Sequence, residues 1–209
     1  FQDRRREAAK SEGAIYTPPW IVDAMISRAG ITDPSLNIVE PSSGHGSFIL
    51  PLIRYAQQTF ELSWDSTARW FVAQVDCFDL DAQATSELRM IVSMLFQREG
   101  VDWVRPELLT NIQTADGLGA DTGHYDIAIG NPPYIRTQNL EADYRDWIRT
   151  RFEIAKSGNI DIYYAFLDLY VSTVPRCVFI VPNGWIKATG ARALRDKIFP
   201  RVSEVVDFK

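Results

Sequence analysis

Hydrophobic positions along the chain fall into two patterns. Short apolar runs alternate with stretches in which apolar residues recur every three or four positions, the periods of buried strands and of helices with one packed face. Ile21, Val22, Met25 and Ile26, after Thr17-Pro18-Pro19, predict a capped helix with proline in its first turn. Residues 36–40 predict a short first strand, which runs into the small-residue turn Pro41-Ser42-Ser43-Gly44-His45-Gly46-Ser47 and then into a helix marked by Phe48, Leu50, Leu52 and Ile53. A second strand is predicted at 71–80, ending in Asp79-Leu80-Asp81, followed by a helix at 84–96 that buries Leu88, Ile91, Met94 and Leu95. Residues 112–114 make a third strand and 125–130 a fourth, stopped by Asn131-Pro132-Pro133-Tyr134 because two prolines cannot continue a central ladder. Ile162, Ala165, Phe166, Leu169 and Tyr170 have the spacing of an amphipathic helix; 177–181 is a wholly apolar fifth strand, 191–199 a helix and 202–208 a sixth strand. This alternation, without internal repeats, predicts an α/β domain with a largely parallel sheet.

Composition narrows the picture. A chain of 209 residues, 46% hydrophobic and 12% aromatic, fits one domain with a sizeable core and excludes disorder as its main state. No apolar run approaches the roughly 18 residues of a membrane span, and the start, residues 1–10, is charged where a signal peptide is apolar, so a soluble, cytoplasmic protein is expected. Cys77 and Cys177 sit in apolar runs without metal-ligand spacing and read as buried thiols; neither a disulfide framework nor a metal site is expected. With 22 Lys and Arg against 27 Asp and Glu, a formal charge of −5, a free-standing domain that holds nucleic acid by charge alone is disfavoured. Arg4, Arg5 and Arg6 read as solvated terminal surface, and His124 as a solvated loop residue.

The candidate chemistry lies at strand ends. The turn with Ser42, Gly44 and Gly46 lets backbone amides approach a ligand, and Glu40 places a carboxylate beside it. Alone, the turn reads equally as tight packing, because the third glycine of the dinucleotide fingerprint is absent. Asp79, at the end of the second strand, is suited to accept both hydroxyls of a ribose; Leu80 would cover an adenine face and Asp116 would accept from an exocyclic amine. Three acids at three strand ends favour an adenosyl ligand. The strongest signal is Asn131-Pro132-Pro133-Tyr134: an asparagine amide oxygen and the Pro132 carbonyl, held by rigid prolines, make two acceptors for one planar amino group. Accepting both protons concentrates electron density on that nitrogen and aims its lone pair at an electrophile, while Tyr134 would stack on the ring that carries it.

In these residues the chain resembles the gamma class of DNA adenine N6-methyltransferases, the catalytic domains of restriction-modification systems. The resemblance spans nearly the whole chain: Tyr16-Thr17-Pro18-Pro19, then 40–48, Asp79-Leu80, Asp116, 131–134, Asp161-Ile162-Tyr163 with Phe166, and 179–183 with Trp185, Leu194 and Arg195 occur in the order of the family's motifs. Departures are confined to Glu40-Pro41-Ser42-Ser43-Gly44-His45-Gly46, where many members read Asp-Pro-Ala-Cys-Gly-Ser-Gly, and to Thr173-Val174-Pro175-Arg176 in place of a Lys-Pro-Gly-Gly turn.

The resemblance implies a Rossmann-like class I methyltransferase fold with helices on both faces of the sheet, and S-adenosylmethionine as cofactor. Tyr16 and Thr17 are then expected over its methionine part, with Glu40, Ser42, Gly44, Gly46, Asp79, Leu80 and Asp116 around the remainder. Asn131, Pro132, Pro133 and Tyr134 would form the catalytic motif, acting on an adenine flipped out of double-stranded DNA. The segment 136–158 is expected to be a mobile loop over the target strand, with Arg136, Arg145, Arg149 and Arg151 meeting phosphates or, equally, lying on a solvated helix. Residues 1–209 would be a catalytic domain lacking the final strand of the sheet, so that a target-recognition domain or subunit is expected as partner. Competing readings are methylation of a protein glutamine or of RNA adenine, and a non-catalytic cofactor-binding subunit of a modification or defence complex.

Overall fold

The computed structural model describes residues 17–156 and 160–208. Five strands, β1 (Ile38–Glu40), β2 (Val75–Asp79), β3 (Ile112–Thr114), β4 (Ile127–Gly130) and β5 (Arg176–Phe179), form an all-parallel sheet in the order β3-β2-β1-β4-β5. The chain first works outward from β1 to β3, then crosses back to place β4 on the other side of β1. That reversal parts the loops at the carboxyl ends of β1 and β4 and opens a crevice there, the usual ligand position in open α/β sheets.

Side chains alternate along the strands, so two cores flank the sheet. Ile38, Ile127 and Ile129 face one core, built with α1 (Pro19–Arg28), α2 (Ile49–Thr59), α3 (Trp64–Gln74) and α4 (Ala82–Arg98). Val39, Phe78 and Ala128 face the other, built with α5 (Ala142–Arg151), α6 (Tyr163–Thr173) and α7 (Arg192–Ile198). Lys197 Nζ lies 2.5 Å from the buried Asp168 carboxylate and ties α7 to α6.

Several expectations need correction. Residues 71–74 are the last turn of α3, not the start of a strand; Ser63 caps that helix, accepting from the Ser66 amide at 3.2 Å. The helix passes into β2 with no glycine or proline between, so the apolar residues of both elements read as one run. On α4 the buried face is Leu88, Val92, Leu95 and Phe96, while Ile91 and Met94 are exposed. The α1 cap position is Pro18, without a side-chain cap hydrogen bond. Helix α6 is not amphipathic: Tyr163 to Asp168 and Tyr170 are all buried. β5 spans Arg176–Phe179, and Cys177, Val178 and Phe179 are only half-buried. Residues 202–208 form no strand: Glu204 lies 3.4 Å from Arg28, and the Phe208 ring meets the Trp20 ring edge-on at 5.4 Å. Where a mobile loop was expected, 136–156 is folded around α5, with Leu140, Tyr144, Ile148, Phe152 and Ile154 in the core. No helix among the described residues is long and apolar enough to cross a membrane.

Candidate functional site

At the crevice, a cavity of about 820 Å³ is lined by most of the residues singled out from the sequence: Thr17, Glu40, Ser42, Gly44, Gly46, Asp79, Leu80, Asp116, Asn131 and Pro133. Tyr16 lies outside the described residues. The loops come together because each follows a parallel strand at the same edge of the sheet. Gly117 allows the approach at one point, since a Cβ there would lie 2.1 Å from the Pro41 carbonyl oxygen. The Tyr170 hydroxyl donates to the Gly117 carbonyl at 2.7 Å and anchors the same turn from α6.

Asp79 organises the glycine turn. One carboxylate oxygen accepts from the Gly44 amide at 2.7 Å, the other from the Asp81 amide at 2.8 Å. Gly44 and Gly46 have φ of 50° and 83°, in the left-handed region that favours glycine. Burial raises the Asp79 carboxyl above its ordinary value, against the lowering effect of the two amides. With four lone-pair sites, an ionised carboxylate bound to two amides still has capacity for ligand hydroxyls.

Glu40 is 1% exposed, and its Oε2 has no hydrogen-bond partner among the described residues. Burial, and secondarily the negative charge of Asp79, hold its carboxyl well above the usual range. A buried carboxyl left unsatisfied beside a large cavity is costly as packing alone. It fits a cavity ligand bearing a cation and hydrogen-bond donors, and S-adenosylmethionine carries both a sulfonium and an ammonium. The Ser43 hydroxyl is likewise buried without a partner among the described residues.

Asn131 lies between the cofactor loop and the N-terminal segment. The Ser42 hydroxyl donates to its backbone carbonyl at 3.1 Å, and its side-chain Nδ2 donates to Thr17 Oγ1 at 3.0 Å. Pro132 is buried, and neither it nor Tyr134 lines the cavity. The Tyr134 hydroxyl donates to the Ile180 carbonyl at 3.1 Å, its ring stands edge-on to Tyr163 at 5.8 Å, and burial pushes its phenol up to about 12. Asp116 turns one oxygen to the Leu118 amide at 3.0 Å. Arg151 lies over Trp147 at 5.5 Å, Arg136 is exposed, and Arg145 and Arg149 are half-buried in or beside α5.

Arg54 on α2, Leu140, and Tyr144 on α5 also line the cavity, and no role was expected for them. The stripe Leu140, Tyr144, Ile148 was the available signal, an i, i+4, i+8 series inside a segment dominated by charge. Phe166 and Ile162, quoted with the later motifs, also reach the cavity.

The Eco57I restriction-modification methylase family model matches residues 77–209, well over half of the chain. Type II methyltransferase M.PaeR7I of Pseudomonas aeruginosa is 29% identical over 92% of the chain, which covers 35% of that protein; the chain spans about a third of the length of the curated relatives it matches. Among solved structures, the DrdV–DNA complex aligns over 94% of the chain and 22% of its own, with TM-score 0.68 and 18% identity. A Listeria monocytogenes protein ascribed to the class I S-adenosylmethionine-dependent methyltransferases aligns over 85% of the chain and 49% of its own, with TM-score 0.54 and 13% identity. The sheet is that of class I methyltransferases.

Proposed function

The chain belongs to the Eco57I restriction-modification methylase family, which implies S-adenosylmethionine as cofactor, and from that premise we propose that it methylates the N6 amino group of an adenine flipped out of double-stranded DNA, acting in the cytoplasm. The observation that carries the reading is the meeting of Asn131 and Pro133 with Glu40, Asp79 and Asp116 around one cavity at the β1/β4 crevice.

Glu40, the Ser42 to Gly46 turn, Asp79, Leu80 and Asp116 would hold the cofactor, which supplies a methyl group already activated by its sulfonium. The chain then needs no strong base. Asn131 Oδ1 and the Pro132 carbonyl accept from the target amino group, which draws its nitrogen toward tetrahedral geometry and frees the lone pair for attack. The bound cofactor would supply the methyl group as an electrophile and keep the bonding pair at sulfur, and the surplus amino proton would leave to solvent. Tyr134 supports the flipped base by stacking. The length of the relatives supports a further part of the reading: residues 1–209 act as a catalytic domain alongside a target-recognition domain or subunit.

Methyl-labelled cofactor is incubated with the protein and duplex DNA, RNA or peptide, and the products are digested and identified. Label in N6-methyladenine from duplex DNA is expected. Label in cytosine, in RNA alone or in glutamine would replace the reading, and cofactor binding without transfer to any of them would favour a non-catalytic subunit.

A further inference from the structure

The contact between Thr17 and Asn131 joins residues 114 positions apart, from the segment before α1 and the loop after β4. Thr17 is 3% exposed, and its hydroxyl oxygen accepts from Asn131 Nδ2 at 3.0 Å. A primary amide has two unlike ends: the NH2 only donates, and the oxygen only accepts. A target amino group needs an acceptor. Presented with the NH2 end instead, it would meet donor against donor. Rotation of χ2 by half a turn interchanges the two ends at little steric cost, because the torsion is broad and roughly two-fold. Something must therefore choose between them.

We propose that Thr17 is a positioning residue for the methyl transfer, holding the Asn131 amide nitrogen so that the amide oxygen is the end turned toward the target amino group. The proposal rests on the adenine reading for its chemistry and on the geometry alone for its structural half. Ser42 fixes the other end of the same residue, through the backbone carbonyl at 3.1 Å. Asn131 is thus held at main chain and side chain by two separate segments, as a group that must stay within a narrow geometry requires. A hydroxyl can also donate to an amide oxygen, so the choice holds while the Thr17 proton is committed elsewhere, as a cofactor contact from the same hydroxyl would commit it.

Two variants and two readouts test the proposal. Thr17→Val keeps the shape and removes the acceptor; Thr17→Ser keeps the acceptor. In the first readout, the Asn131 side-chain NH2 resonances are followed by 15N–1H NMR and assigned by their loss in Asn131→Ala. The wild type and Thr17→Ser are expected to show a hydrogen-bonded, exchange-protected NH2, and Thr17→Val to lose it. In the second, methyl transfer is measured in single turnover with protein in excess, alongside calorimetric cofactor affinity. With cofactor saturating for each protein, as the calorimetry sets it, Thr17→Val is expected to slow transfer at least about tenfold, and Thr17→Ser to restore the rate to within about threefold. An unchanged NH2 signal in Thr17→Val overturns the proposal, as does an unchanged rate. A wild type that methylates no adenine counts against the adenine reading, and the NMR arm still decides the role of Thr17.

Discussion

Glu40 carries its charge at a cost. Its folded-state pKa stands above the unfolded value because of burial first and the Asp79 charge second. The stability contributed by its neutral form is therefore fully present below the ordinary glutamate range and is lost as pH rises through the raised value. Without cofactor, Glu40→Gln should melt higher than the wild type at about pH 8 and equally at about pH 4. A cationic ligand group reverses the preference, so wild-type cofactor affinity should increase with pH over this interval and flatten in Glu40→Gln; parallel profiles in calorimetry would count against Glu40 as the cation's partner. Asp79 has two tasks, one toward the ligand and one toward the Gly44 amide. Asp79→Ala should weaken cofactor binding at least about tenfold, the loss of one charge-assisted contact of about 1.5–3 kcal/mol. Asn131→Ala should abolish single-turnover transfer while leaving calorimetric cofactor affinity within about threefold, because its side chain is assigned to the target nitrogen; retained turnover would remove Asn131 from the mechanism. The gathering of these residues was legible in the sequence because each is a polar side chain at or just after the end of a strand, where a parallel sheet collects its loops. The grip of Tyr134 on the Ile180 carbonyl was not, since the partner is a main-chain group 46 positions away that any residue type would offer.

At the scale of elements, errors came where local pattern did not decide the partner. The end of helix α3 and strand β2 form one mainly apolar run from Trp70 to Phe78, interrupted only by Gln74 and Asp76, and tertiary packing divides it at Gln74. The sequence 202–208 is rich in the valine and phenylalanine that strands favour, yet a strand exists only by pairing, and these residues form no ladder with the described ones. On α4 the apolar residues outnumber the positions that face the core, so periodicity left the phase of the helix open by about one residue. The phase is testable. Leu88 is fully buried and Met94 is 62% exposed. Leu88→Ala should cost about 2–5 kcal/mol in urea unfolding, whereas Met94→Ala should stay within about 0.5 kcal/mol. Comparable losses at both would place the buried face of α4 where the sequence first suggested. The largely parallel sheet, by contrast, was legible, because strands alternating with helices call for crossover connections; its order, β3-β2-β1-β4-β5, was not read from the sequence.

For the whole molecule, the cavity is where the two cores meet. Its wall includes Phe48 from the core built with α1 to α4, and Tyr144 and Phe166 from the core built with α5 and α6. Its polar groups come from Thr17, Glu40, Asp79, Asp116 and Asn131, so distant in sequence that the unfolded chain has no equivalent site. A ligand held there binds only the native state and must stabilise it by mass action. At a free concentration of about 100 times the dissociation constant the gain is about 2.7 kcal/mol. For a domain of this size each kcal/mol raises the melting temperature by about 2–4 °C, so S-adenosylmethionine should raise it by about 5–11 °C. Asp79→Ala provides the internal control. A tenfold weaker affinity at the same cofactor concentration leaves about 1.4 kcal/mol, and the rise should fall to about 3–6 °C even though the variant starts from a lower baseline. Helices α5 and α6 should share in the protection, seen as slower amide exchange in both cores rather than only around the glycine turn. A cofactor-induced rise equal in wild type and Asp79→Ala, or protection confined to 40–48, would mean that the ligand is not held across the cavity by the groups assigned to it.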